Sequence, residues 1–195
     1  MIPYTNTLTI SHRSKPIPYG GPGHVREDGD ANYGFRYVKG NESLLRQIPE
    51  LMRDEDLLQL ALAINAPETG LFSAGCVSGS VDDENGHRRS GYMEFVINSR
   101  AAIGDAASYF PIFFHFDRFL HERTFAIPVS YIWELQPAIF TECQDITGFT
   151  CSVFLNTHYA TSPVNSAQNW TESLNVLGLL LGSVPVAQAD FLYPQ

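Results

Sequence analysis

Positive charge is what this chain has least of. Lysine occurs only at positions 15 and 39, and beyond Arg123 there is neither Lys nor Arg, although five acids follow. The 12 basic residues stand against 21 acidic ones, a net charge of −9. A surface of that sign repels phosphate backbones and acidic lipid headgroups, so neither nucleic acid nor a membrane is an expected partner. Cysteine is nearly as scarce. Cys76, Cys143 and Cys151 are too few, and odd in number, for a disulfide scaffold, and free, semi-buried thiols are expected.

Long apolar runs are missing as well. The richest stretch, "SYFPIFFHFDRFLHERTF", holds six phenylalanines, yet His115, Asp117 and Arg118 interrupt it well before the ~20 apolar residues that a span requires. The opening "MIPYTNTLTISHRSKP" has no basic head followed by an apolar run, so no signal peptide is read there and a cytoplasmic location is expected. The strong chemical motifs are absent too: there is no "GxxxxGK[ST]", "HExxH", "GxSxG" or paired "CxxC". No cofactor is expected. His115, Asp117 and His121 come nearest to metal-ligand spacing, but His115 points away from the other two on a helix, and no metal site is expected.

What remains is the composition of a folded domain. Charged residues are only 17% of the 195, aliphatic and aromatic ones are plentiful, and a chain this long buries a core without staples. Residues 1–30 read differently. "KPIPYGGPGHVREDGD" is rich in Pro and Gly and predicts an extended N-terminal arm, with "GGPG" at 20–23 a flexible turn. Such an arm offers one route to a homo-oligomer, by exchange between subunits. Residues 31–195 are then a single α+β domain.

Within that domain the periodicity alternates between helix and hairpin. A helix begins near Asn41 or Ser43 and is disturbed at Pro49; a second, capped by Asp54, buries Leu57, Leu58, Ala61, Leu62 and Ile64. "GLFSAGCVSGSV" and "GYMEFVINS" predict two strands joined through an Asn-Gly turn. Met93, Phe95 and Ile97 face one way, and Tyr92, Glu94, Val96 and Asn98 the other. In the phenylalanine-rich stretch, Tyr109, Ile112, Phe113, Phe116, Phe119 and Leu120 make one face of a helix with Ser108 as its cap. A second strand pair follows. Val129, Tyr131, Trp133 and Leu135 share a face opposite Ser130, Ile132, Glu134 and Gln136. Cys151, Val153, Leu155 and Thr157 oppose Ser152, Phe154, Asn156 and His158. Pro137 implies a bulge or an edge. A last helix runs from about Ala167 to Leu181, capped by Ser166, with Trp170, Leu174, Leu177 and Leu181 inward. The fold class expected is α+β: an antiparallel sheet from two hairpin units with helices packed on one face.

Two functions are compatible with these residues. The first is a non-catalytic protein-binding domain, an acidic inhibitor of a partner with a basic contact surface. Asp82, Asp83 and Glu84 of the hairpin loop, with Tyr92 and Tyr131 as aromatic anchors, are its candidate contacts. The second is a small-molecule enzyme or carrier on the polar sheet face. Glu94, Glu134 and His158 share that face if the hairpins adjoin, and two carboxylates in one pocket divide acid and base roles. A concave pocket holding those three residues favours the enzyme or carrier, and a flat acidic face ringed by aromatics favours the binding domain.

Overall fold

Alternation of apolar and polar residues, period two, builds most of one sheet, and its register decides what faces what. The computed structural model describes residues 3–20, 24–25, 31–32, 34–186 and 190–194. The N-terminal segment supplies β1 (Tyr4–Ile10) and β2 (Lys15–Ile17), and β3 (His24–Val25) with β4 (Ala31–Asn32) forms a short ladder of its own. Three helices follow: α1 (Glu42–Leu45), α2 (Pro49–Met52) and α3 (Glu55–Ile64). The hairpin β5 (Leu71–Asp83) and β6 (Gly86–Ile97) leads to α4 (Arg100–Ile103), a 3₁₀ turn at Ala106–Tyr109 and α5 (Phe110–Leu120). The second hairpin is β7 (Val129–Phe140) and β8 (Ile146–Thr157), and α6 (Pro163–Leu181) closes the core.

The sheet order is β1-β7-β8-β6-β5, with β2 also paired to β7. β8 lies antiparallel between β7 and β6, so the two hairpins adjoin directly. The sheet is mixed, however, and the purely antiparallel expectation is corrected: β1 and β2 run parallel to β7 along its outer edge. The Pro and Gly content of residues 15–30 had marked the whole segment as an arm, while "YTNTLTI" alternates like any half-buried strand. Pro137 fits this edge for a simple reason. The β1 ladder ends opposite Leu135 and the β2 ladder resumes opposite Ala138, so the proline sits where β7 has no partner on that side. Beyond Gly20, the expected turn at 20–23 lies outside the described residues.

Helix starts follow capping chemistry. Asn41 accepts from the Leu44 N–H, and Asp54 from the Leu57 N–H, while Pro49 begins α2 rather than merely disturbing α1. Two caps differ from expectation. Asp105, not Ser108, caps the turn that leads into α5; Ser162, not Ser166, caps α6, because Pro163 is tolerated in a first turn and lengthens the helix by four residues. Ser166 is buried inside α6 instead.

The main core lies between one sheet face and α3, α5 and α6. Phe95, Tyr131, Trp133, Cys151 and Val153 meet Leu57, Ile64, Phe113, Phe116, Trp170 and Leu177 there. A second, smaller cluster forms on the opposite face at one end of the sheet. It gathers Ile17 from β2, Phe72, Val96, Ile103, Phe140 and the tail residues Leu192 and Tyr193. A bulge at Ala74 in β5 lets that strand serve both clusters: Phe72 and Ala74 point into the second, and Cys76 into the first.

The α3–α6 contact yields a stability prediction. A Cβ on Gly178 would stand 3.6 Å from the Leu60 Cδ1, an ordinary contact, whereas one on Gly182 would stand 2.9 Å from the Gly178 carbonyl oxygen. Gly178→Ala is expected to stabilise the protein by ~0.5–1 kcal/mol through helix propensity. Gly182→Ala is expected to destabilise it, and thermal unfolding followed by circular dichroism reads both signs.

A candidate interface on the open sheet face

Past the second cluster, the sheet face opposite the helices carries no helix among the described residues. Its rows can be read across the strands by register. One row runs Gly75, Glu94, Ser152, Glu134 and Thr9; the next runs Val77, Tyr92, Phe154, Ile132 and Thr7; the third runs Gly79, Ser90, Asn156, Ser130 and Thr5.

The first row contains the acid pair singled out from the sequence. Glu94 and Glu134 do share a face, each opposite Ser152, so their backbones stand about 10 Å apart, two strand spacings. Their environments differ sharply. Glu134 is half-buried, while Glu94 is 1% exposed. Lys15 forms an ion pair with the Glu94 Oε1, and the Tyr19 hydroxyl lies 3.3 Å from Oε2 and 3.1 Å from the Ala74 carbonyl oxygen. The Lys15 ammonium also lies 4.9 Å from the centre of the Tyr19 ring, within cation–π range. Burial, and then the nearby Glu94 charge, hold the Tyr19 phenol well above its ordinary range, so it stays a hydrogen-bond donor. Gly75 makes this arrangement fit: a Cβ there would run into the Tyr19 hydroxyl. The carboxylate is thus consumed by structure rather than offered to a substrate.

His158 does not join the acids. It follows the last residue of β8, six positions from Ser152, roughly 20 Å along the strand at 3.3 Å per residue, and its side chain is exposed. Tyr131 belongs to the main core: its side chain is 0% exposed and its hydroxyl donates to the Ser173 carbonyl oxygen at 3.1 Å. It offers no anchor to a partner.

The hairpin tip is engaged as well. Asp82 meets the His87 Nδ1 at 2.8 Å, and the Tyr159 hydroxyl donates to Asp83 at 2.6 Å. Those contacts, the Tyr159 hydroxyl first and then the Asn85 N–H, hold the Asp83 carboxyl below its usual range. Arg88 lies 5.3 Å from the centre of the Tyr159 ring, and His87 and Ala160 exchange backbone hydrogen bonds of 3.0 and 2.7 Å. Gly86, at φ +120°, allows this docking, since a Cβ would strike the Ala160 carbonyl. Glu84 stays exposed at the turn.

Of the second row, only Tyr92 was singled out from the sequence. Val77 is 39% and Ile132 37% exposed, and the half-buried rings of Tyr92 and Phe154 lie 5.6 Å apart between them. Four apolar side chains on four adjacent strands thus form one stripe, flanked by Ser, Thr and Asn on one side and by Ser152 and Glu134 on the other. Alternation had already put Tyr92, Ile132 and Phe154 on faces away from the core, and only the register brings them into line.

The thiols are not primed for nucleophilic chemistry. Burial lifts Cys76 to about 12 and raises Cys143 and Cys151 as well. Among the described residues, no three His, Cys, Asp or Glu side chains gather as a metal-binding group, and no helix is long and apolar enough to cross a membrane. No protein-family model, curated protein or solved structure matches the chain.

Two outcomes follow from this geometry. Lys15→Met is expected to cost about 3 kcal/mol, because it strands a buried carboxylate. Lys15→Met combined with Glu94→Leu is expected to cost clearly less than the two single changes added together. Urea unfolding of the four proteins measures that coupling, and simple additivity would show that the pair contributes nothing. For the thiols, a raised pKa near 12 leaves about 1 in 10⁴ of Cys76 as thiolate at pH 8. Ellman's reagent at pH 8 is therefore expected to titrate three thiols rapidly in denaturant and none rapidly in the native protein.

Proposed function

We propose that this protein is a non-catalytic binding domain that recognises another protein through its open sheet face. The observation that carries this reading is the row Val77, Tyr92, Phe154 and Ile132, a partly exposed apolar stripe on a sheet face that carries no helix there among the described residues. Two of its members are rings, the kind of rigid anchor that dominates protein interfaces. The hydroxyl and amide side chains beside them suit a polar rim. The net charge of −9 and the half-buried Glu134 suit a partner that is basic around an apolar contact. Inhibition of such a partner is the sharpest form of the proposal. Asp82 and Asp83 are satisfied within the hairpin tip, so the contact assigned here centres on Tyr92 and the stripe, with Glu84 at its margin.

The enzyme reading receives less support. Glu94 is tied to Lys15 and Tyr19, and His158 stands far from both acids.

The test is site-specific photo-crosslinking in cells, with a benzoylphenylalanine placed at Ile132 or, as a control, at Leu179 on the exposed side of α6. One partner is expected from position 132 and not from 179. Its purified form should bind wild type at least 10-fold more tightly than Phe154→Ala, with binding weakened further by added salt. Equal affinity for Phe154→Ala, with folding intact by circular dichroism, would remove the stripe from the interface.

A further inference from the structure

A cavity of about 530 Å³ opens at the far end of the main core, where the start of α5 and the end of α6 diverge over the end of the β5–β6 hairpin. That volume falls within the ~300–1,000 Å³ of sites that bury small molecules. Gly70 and Ile97 form its floor, Pro111 and Ile112 one wall, and Leu180 and Val184 the other. Among the described residues, no Lys, Arg, Asp or Glu lines it.

The polar groups around it divide into two kinds. Three are occupied internally. Asn98 accepts from the Tyr193 N–H at 2.9 Å and donates to the Tyr193 carbonyl oxygen at 3.1 Å; Ser99 donates to Asp190 at 2.9 Å; Ser183 donates to the Leu180 carbonyl oxygen at 2.7 Å. Two are not. The side chains of half-buried Ser108 and of His115, exposed at the cavity rim, make no hydrogen bond among the described residues. They stand seven positions apart, two helical turns, with Pro111 and Ile112 between them on the same lining face.

We infer that this cavity is a binding site for a small, neutral, mainly apolar molecule carrying a hydrogen-bonding group at one end, which Ser108 and His115 receive. The apolar walls supply affinity through burial, and the two free polar side chains set orientation. An anion is disfavoured, because no Lys or Arg lines the cavity among the described residues and the whole chain is at −9. A protein partner is disfavoured by size: stable interfaces take about 800 Å² from each side, spread over ~20–30 residues, more than the described residues that line this cavity.

Two probes that share one ring system test the inference. N-phenyl-1-naphthylamine is neutral, and 8-anilinonaphthalene-1-sulfonate adds a negative charge to the same rings. Fluorescence titration of the whole chain is expected to show saturable binding of the neutral probe at one per protein, at least 10-fold tighter than the sulfonate. Ala102→Phe, which fills the cavity from α4, should abolish it, and Ser108→Trp serves the same purpose from the other wall should the first variant unfold. His115→Ala should weaken binding about 5-fold, the worth of one hydrogen bond. Phe114→Ala, at an exposed ring outside the cavity, should leave it unchanged. Overturning results are non-saturable binding, equal or tighter binding of the sulfonate, indifference to both filling variants when folded, or loss in Phe114→Ala.

Discussion

A carboxylate taken out of water must find a partner, and Glu94 is the place where this molecule meets that demand. An uncompensated buried charge costs several kcal/mol, so Glu94 cannot sit in the middle of a sheet unless Lys15 and Tyr19 come to it. Meeting it draws the N-terminal segment along β7, positions Ile17 and Tyr19 over the sheet, and starts the second hydrophobic cluster, which the tail then completes through Leu192 and Tyr193. One half of the back face is thereby sealed. The other half, beyond Glu94, carries the partly exposed apolar stripe and no helix among the described residues.

The same pairing changes how the two acids of that face can be read. Two carboxylates on one sheet face invite an acid–base reading, and Glu94 and Glu134 do occupy one row. Catalysis would require a free proton acceptor or donor beside a substrate-sized space. Here one carboxylate is enclosed by an ammonium and a phenol, and the other stands two strands away. The thiols, raised by burial, add nothing to it. Recognition is what the remaining features favour: a stripe of rings and branched side chains on one side of the sheet, and a largely apolar cavity at the end of the core on the other.

Local signals were legible to an unequal degree. Asn41 and Asp54 announced their helices because a cap acts on the next three residues and needs no tertiary context. Ser108 and Ser166 were misleading, since Asp105 and Ser162 offer equivalent oxygens a few positions earlier and Pro111 and Pro163 both fit a first turn. Strand faces were legible from alternation at Met93, Phe95, Trp133 and Val153, all of which are buried. Tyr131 shows the limit of reading by residue type: its alternation placed it with Trp133 in the core, and only its aromatic chemistry suggested a surface role.

From the sequence alone came the helix and hairpin order, the inward faces, the shortage of cations and the lack of any compelling catalytic motif, because each rests on near neighbours or on composition. Tertiary structure decided the rest. It made the first strands a parallel edge of the sheet, enclosed Glu94, separated His158 from the acids, aligned Val77, Tyr92, Phe154 and Ile132, and opened the cavity between α5 and α6. These all depend on register and on contacts between residues far apart in the chain, such as the 125 positions between Thr5 and Ser130. A side-chain pattern of period two tells which face a residue takes, but not which residue of another strand will stand beside it.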